Sequence, residues 1–334
     1  MPTPPTPPTH LLARTGAPGA RLRETAADLA APLTAPVDAH RRLRGPYTAA
    51  GSLLRALLPD LLTQCPDLVR AHAAEIGAAA PELRGAAGPE DGAGAARRPT
   101  HAIAHALADL VRDYGRSRGG PASLVVDRVD QADPTDREFL AVLLARADPA
   151  ELTLVLGAGG AVAPPGPLRA ALDRHCRETP CVAEVADLTG SDQDLARRHV
   201  EDACTGPSAW LRAAYERIPE ARRCALHDRR ADELEALGEQ TLRLGAVPFH
   251  RERGSDPAAA VRALRHALDH CAGLGFHAAA ADLARRGLAL AAAESAADAE
   301  DRAAFAAVLA ATREARTERQ GSDTRPAPAR LRSR

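Results

Sequence analysis

The stretch that decides the fold is Ser123-Leu124-Val125-Val126-Asp127, an apolar run that ends in an acid. Its composition and short length indicate a buried β-strand that carries the carboxylate of Asp127 to the carboxyl edge of a sheet. A predicted helix follows over residues 136–145, and a second apolar run follows over residues 152–156. Strand, helix and strand with short connections predict a βαβ unit, and therefore two neighbouring parallel strands.

The composition limits the classes of protein to which the chain can belong. Its 334 residues suffice for one large or two ordinary domains, and 45% are hydrophobic but only 2% aromatic. A core of Leu, Val and Ala favours helices and buried parallel strands over a sandwich. A formal net charge of -1 gives no overall attraction to nucleic acid or to anionic lipid. No apolar run approaches the roughly 20 residues that span a membrane, so no membrane association is expected.

The cysteines and the first residues indicate the compartment. The start, Met1-Pro2-Thr3-Pro4-Pro5, has neither the charged nor the apolar region of a signal peptide. We therefore expect a cytoplasmic protein whose six cysteines are free thiols. The one close cluster, His175-Cys176 with Cys181, matches no zinc signature.

The chain divides into five predicted segments, which give an α/β domain followed by an all-α region. Residues 1–37 are a Pro-rich disordered tail with a short helix. Residues 38–165 form the α/β domain with a partial parallel sheet, and residues 166–218 form a helical connector. Residues 219–312 form a helical domain, and residues 313–334 form a disordered basic tail.

A pair of helices is the clearest unit of the C-terminal half. The first begins with Ser255 as the predicted N-cap and Pro257 in the first turn. The second runs from Phe276 to about Ala293, with Gly287 among its inward-facing residues. Paired antiparallel helices with small residues at their contact are the building block of helical solenoids.

The segment from Leu124 to Pro134 resembles the Walker B region of the signal-transduction ATPases, the Orc1-like AAA domains (STAND class) of large bacterial LuxR-type regulators. Their pattern is an apolar strand, two acids, an apolar residue, His, Trp, Ala, Asp and a small residue or Pro. The resemblance implies that Asp127 is the acid that holds Mg²⁺ when nucleotide is bound, and that Asp133 belongs to the same cofactor site. Residues 219–227 and 245–257 resemble the start of the tetratricopeptide-like arm of that family.

The sequence departs from the family where the chemistry takes place. Arg128 occupies the position of the second acid, and a guanidinium cannot act as a base. Residues 157–159 are Gly-Ala-Gly where a polar sensor residue is expected. All 43 basic residues counted as Lys and Arg are arginines, so no lysine can complete a phosphate-binding loop, and residues 16–21 lack its spacing.

Two functions remain open from the sequence. The first is a non-hydrolysing regulatory or protein-interaction module, without a cofactor or confident catalytic residue, that binds a protein partner through its helical arm. The alternative is the ATPase switch of a LuxR-type transcriptional regulator, with Mg-ATP as cofactor, whose P-loop is truncated from the start or supplied by a partner. We see no helix-turn-helix and expect no nucleic-acid binding by this chain alone. The edge left by a missing first strand could drive homo-oligomer formation.

Overall fold

The structure is a computed structural model that describes residues 9–14, 20–87, 98–159, 166–180, 189–206, 208–293 and 299–323. Its N-terminal half is a six-stranded parallel sheet covered by helices, and its C-terminal half is helical. The expectation of an α/β region followed by helices is confirmed at this level. No described helix is both long enough and apolar enough to cross a membrane.

All the strand pairs of the sheet are parallel. The strands are β1 (His10–Arg14), β2 (Ala31–Pro32), β3 (Val37–Asp38), β4 (Ala122–Asp127), β5 (Leu152–Ala158) and β6 (Cys176–Pro180). Their order is β2-β4-β5-β1-β6, and β3 also pairs with β4. The predicted pairing of the two apolar runs is confirmed, because β4 and β5 are neighbours from Ala122 opposite Leu152 onwards.

Helices surround the sheet because their apolar residues pack on it, and most of them belong to one continuous core. The helices of this half are α1 (Ala20–Ala27), α2 (Thr48–Gln64), α3 (Pro66–Ala71), α4 (Ala73–Ala79), α5 (Arg84–Ala87), α6 (Thr100–Ser117), α7 (Pro134–Arg146) and α8 (Pro167–His175). The leucines of α2 recur at helical spacing, and the helix buries all of them except Leu62, which is exposed.

The first strand corrects the prediction of a disordered tail over residues 1–37. β1 is a buried strand between β5 and β6. The ring of His10 accepts a hydrogen bond at Nδ1 from the backbone N–H of Leu154 (3.1 Å), and Nε2 lies 3.3 Å from the carbonyl oxygen of Ala147. These partners are distant in sequence, so local composition does not reveal them. The prediction that a first strand is missing, and that its absence leaves an open edge in the sheet, is therefore wrong.

The α/β domain also extends beyond its predicted boundary at residue 165. β6 pairs with β1 along its length, and an ion pair of 2.7 Å joins Glu178 to Arg14 of β1. The polar composition of β6 is typical of an edge strand and gives no apolar pattern. The strand signal predicted at residues 181–185 lies outside the described residues.

The C-terminal half consists of helices that pack on one another in chain order. They are α9 (Asp192–Glu201), α10 (Ala209–Arg217), α11 (Glu220–Ala236), α12 (Ala246–Arg251), α13 (Pro257–Leu274), α14 (His277–Ala293) and α15 (Ala299–Asp323). α15 continues to Asp323 through residues predicted as a disordered tail from 313, because the sequence from 313 to 320 consists mostly of the helix formers Arg, Glu, Gln and Ala. Residues 324–334 lie outside the described residues.

The predicted helix pair is present as α13 and α14. Gly275, in the left-handed conformation with φ of +79°, makes the turn between them. The N-cap is Asp256, whose side chain accepts from the N–H of Ala259 at 3.0 Å, and not the predicted Ser255, whose hydroxyl donates to Asp228. Gly287 faces inward as predicted: a Cβ there would lie 2.5 Å from the ring of Phe305 of α15.

The sheet half and the helical half meet at two glycines. A Cβ on Gly245 would lie 2.4 Å from the backbone nitrogen of Gly45, so the two backbones are in direct contact. Beside them, Arg44 forms an ion pair with Glu239 and donates to Thr241 at 3.1 Å. The two halves therefore pack against each other through backbone contact as well as side chains.

Candidate functional site

The first of the predicted site residues, Asp127, lies at the carboxyl edge of the parallel sheet. Asp127 ends β4, and the neighbouring strand β5 ends at Ala158 with Gly159 after it. In open parallel sheets, ligands bind outside this edge. The geometry at Asp127 therefore decides whether the edge can hold a nucleotide.

The carboxylate of Asp127 is half-buried and faces protein. Its Oδ1 accepts a hydrogen bond of 2.8 Å from the backbone N–H of Arg128. A Cβ on Gly157 would lie 2.3 Å from this oxygen and 2.6 Å from Cδ1 of Leu22, so the glycine makes the room that both groups occupy. Burial raises the pKa of Asp127. One face of the proposed magnesium ligand is therefore covered by β5 and by the fully buried Leu22 of α1.

Arg128, which stands where the ATPase pattern has a second acid, forms ion pairs within the fold. Arg128 has a left-handed backbone with φ of 55°, and its guanidinium forms an ion pair with Asp38 of β3. The same group lies 3.7 Å from the carboxylate of Asp202 and donates to the hydroxyl of Thr205, both after α9. Burial lowers its pKa, while the charge of Asp202 raises it. Arg128 thus connects the sheet edge to the helical half, and its guanidinium cannot itself act as a base.

The next acid of the segment also has a structural partner. Asp130 is only 6% exposed, and its Oδ1 accepts from the backbone N–H of Gly159 at 3.1 Å. Its Oδ2 accepts from the side-chain amide of Gln131 at 3.1 Å. These two residues, which stand where the family has His and Trp, fix the end of β5 to the turn after β4.

Asp133, the second predicted cofactor residue, is the N-cap of α7. Its Oδ1 accepts from the backbone N–H groups of Thr135 (2.7 Å) and Asp136 (3.3 Å). Asp136 in turn accepts from the N–H groups of Ala49 (2.7 Å) and Ala50 (3.1 Å), and so caps α2. Burial and the charge of Asp133 raise the pKa of Asp136 well above its ordinary value.

The structure therefore separates the two predicted site residues. Asp127 lies at the sheet edge, whereas the hydrogen bonds of Asp133 are made with the first turn of its own helix. The pattern Asp133-Pro134 is an N-cap followed by Pro at N1, a signal that the sequence carries. The role of Asp136 depends on two partners in another helix, and no local signal indicates it.

A strand and a helix precede the sheet segments that the sequence predicted. β1 ends at Arg14 beside β5, and α1 begins at Ala20 and packs on β4 and β5. Residues 15–19 lie outside the described residues. Within the described part of the chain, no group of three or more His, Cys, Asp or Glu side chains could hold a metal ion.

Comparison of the sequence with protein-family models gives no match, and searches of curated proteins and of solved structures give none either.

Proposed function

We propose that the chain is a non-hydrolysing regulatory or protein-interaction module, a degenerate relative of the signal-transduction ATPases that uses its helical arm as a scaffold. The observation that carries this proposal is the ion pairing of Arg128 with Asp38 and Asp202. These ion pairs place the guanidinium of Arg128 at the position where hydrolysis requires an acid.

The surroundings of Asp127 support the same conclusion. Mg²⁺ requires near-octahedral geometry and keeps several of its waters. Oδ1 of Asp127 instead accepts the Arg128 N–H and faces Leu22 and the backbone of β5. A phosphate chain would also lack the lysine that contacts its outer oxygens, because the chain contains none.

The helical half supports the scaffold part of the proposal. α13 and α14 are joined by a two-residue turn and pack along each other, and α15 packs on α14 through Phe305. Successive hairpins that contact chiefly their neighbours are typical of tetratricopeptide-like arms. Such arms present extended surfaces to protein partners, and the exposed Trp210 of α10 (70%) is a side chain of the type enriched in interfaces.

A second candidate is an ATP-binding switch, which the placement of β1 and α1 favours. β1 ends at Arg14 on the other side of β5 from β4, α1 begins at Ala20, and the sequence between them contains two glycines. Backbone N–H groups at a helix N-terminus can bind phosphate without a lysine. In this case nucleotide binds but is not hydrolysed at a useful rate, because Arg128 still replaces the second acid.

Phosphate release from ATP tests the first proposal. We expect the full chain with Mg²⁺ and ATP to release phosphate no faster than its Asp127→Ala variant. We also expect Arg128→Glu to remain inactive, because one restored acid supplies neither the lysine nor an open metal position. Turnover by the unaltered chain that Asp127→Ala abolishes would show that the site is catalytic.

A further inference from the structure

A large cleft lies between the two halves of the molecule, and Asp133 is among the residues that line it. Its volume is about 1350 Å³. One wall is the loop from Arg41 to Pro46 with the start of α7, and the other is formed by α12, α14 and α15. Small-molecule pockets are typically about 300–1,000 Å³, so this cleft has room for a larger ligand.

The cleft carries an excess of positive charge. Five arginines and three acids line it, which leaves two positive charges in excess. Two of the arginines are neutralised locally: Arg286 pairs with Glu252 at 2.7 Å, and Arg285 pairs with Asp282 at 3.3 Å. The excess therefore belongs to the other three, which are Arg41, Arg42 and Arg253.

These three arginines have few close contacts with carboxylates. The guanidinium of Arg253 stacks on the ring of Phe249 at 3.9 Å, and that of Arg42 lies over the same ring at 4.9 Å. Arg253 approaches Glu252 only at 3.8 Å, whereas Arg42 donates to the carbonyl oxygen of Cys204 at 3.4 Å. Arg41 is exposed at the mouth of the cleft and has no ion pair with a described carboxylate. Planar, stacked guanidinium groups of this kind are suited to bind carboxylates.

The remaining wall is aliphatic. Its apolar residues with exposed or part-exposed side chains include Ala278, Ala289, Leu290 and Val308, and the nearly buried Leu244 and Leu283 lie beneath them. A small inorganic anion or a bare phosphate chain would leave this surface in contact with water. A ligand with aliphatic side chains of its own would cover it. A ligand that satisfies both walls has carboxylates beside aliphatic groups and enough length to follow the cleft.

We propose that this cleft is the docking site of an acidic peptide segment of a partner protein, with aliphatic side chains against α14 and α15 and carboxylates at Arg41, Arg42 and Arg253. The inference rests on the proposed function, since it names the chemistry of the partner that the module binds. It locates the contact at the junction of the two halves and not on the outer face of the arm. A segment held there contacts both halves at once and stabilises their packing at Gly45 and Gly245.

Fluorescence anisotropy on the full chain tests the proposal with two labelled peptides that share leucine positions. One carries glutamate and the other lysine at every remaining position. We expect saturable, salt-sensitive binding of the glutamate peptide alone. We expect Arg41→Glu, and Ala278→Trp at an exposed position of the cleft wall, to weaken it at least about tenfold, because each removes complementary charge or space.

Matched variants outside the cleft control for charge and bulk. Arg262→Glu makes the same change of charge on α13, and Ala303→Trp adds the same ring to an exposed position of α15. Both should bind the glutamate peptide as the unaltered chain does. Failure of that peptide to bind, equal binding of the lysine peptide, loss in the controls, or displacement by ATP would each overturn the cleft assignment. The phosphate-release test stands apart, since Asp127-dependent turnover would overturn the proposed function whatever the peptide does.

Discussion

The sheet edge at Asp127 and the cleft beside Arg41 are both lined by charged residues, but they differ in what those residues contact. At the edge, Arg128, Asp130 and Asp133 each have partners within the fold. In the cleft, Arg41 and Arg42 have no ion pair with a described carboxylate. Charges that are paired within the fold stabilise it, whereas cations without a carboxylate partner are available to an anionic ligand. The proposed ligand site is therefore the cleft, whereas the charged groups of the sheet edge stabilise the fold.

Among these substitutions, Asp136→Ala, beside the Walker B-like segment, is expected to cause the largest loss of stability. The change leaves the N–H groups of Ala49 and Ala50 without their acceptor inside the protein. Each unsatisfied buried donor costs about 1–3 kcal/mol, so we expect the free energy of unfolding to fall by roughly 3 kcal/mol. Urea denaturation measures the loss. Asp136→Asn keeps an acceptor and removes the repulsion from Asp133, so it should cost clearly less; equal losses would show that the caps do not matter.

Arg128→Met tests whether the guanidinium is structural. It leaves the carboxylates of Asp38 and Asp202 facing each other without the cation between them. The pair is partly solvated, with 19% of the Arg128 side chain exposed, so we expect a loss of about 2 kcal/mol, below the cost of breaking a fully buried pair. Asp38→Asn in the Arg128→Met background should recover part of it in the same denaturation assay. An unchanged midpoint for Arg128→Met would contradict the assigned role.

Gly157→Ala tests whether the space beside the Asp127 carboxylate is already filled. The added Cβ overlaps Oδ1 of Asp127 and Cδ1 of Leu22, and such overpacking costs about 1–3 kcal/mol, so a loss near 1.5 kcal/mol is expected. The matched control is Gly273→Ala in α13, where an added Cβ meets nothing within 4 Å and helix propensity favours alanine. The control should be neutral or stabilising in thermal unfolding. If Gly157→Ala behaves in the same way, the space at Asp127 is open.

The dependence of stability on pH probes the interior of the helical half. His227 and His250 are fully buried, with Nδ1 atoms 2.8 Å apart, and burial lowers their pKa values to about 4 and about 3. Because the unfolded chain takes up protons first, stability should fall as pH decreases from 6.5 towards 4. The carboxyls of Asp133 and Asp136, whose pKa values are raised, contribute with the opposite sign.

A comparison of variants isolates the histidine contribution, since the aspartates are common to both proteins. His250→Asn keeps a hydrogen-bonding group towards His227 and removes one titrating ring. We expect its free energy of unfolding to fall by about 1 kcal/mol less per pH unit than that of the unaltered chain. Parallel pH curves from denaturant titrations would show that the buried ring does not titrate as inferred.

The elements that the sequence predicted are those whose apolar pattern or capping residues lie within the element itself. β4, β5 and the α13–α14 pair follow from apolar runs and helical spacing, and Asp133-Pro134 carries its own capping signal. β1 was missed because its strand conformation depends on pairing with β5 and β6 and on the contacts of His10. β6 was missed because an edge strand needs no apolar face.

The candidate sites divide in the same way. The missing lysine and the Arg128 substitution are visible in the sequence, and they predicted the loss of hydrolysis chemistry. The closeness of Gly157 to Asp127 and the capping by Asp136 are tertiary, as is the meeting of Arg41, Arg42 and Arg253 across two halves of the chain. No spacing rule connects residues that are two hundred positions apart, so the cleft could not be predicted.

Titration calorimetry of the full chain with Mg²⁺ and ATP tests the central claim most directly. We expect no saturable heat in the micromolar range, and the same trace for Asp127→Ala, because Oδ1 of Asp127 is packed against β5 beside Leu22 and no lysine is present. Micromolar binding by the unaltered chain that is lost in Asp127→Ala would contradict it, and would establish the sheet edge as a working nucleotide site.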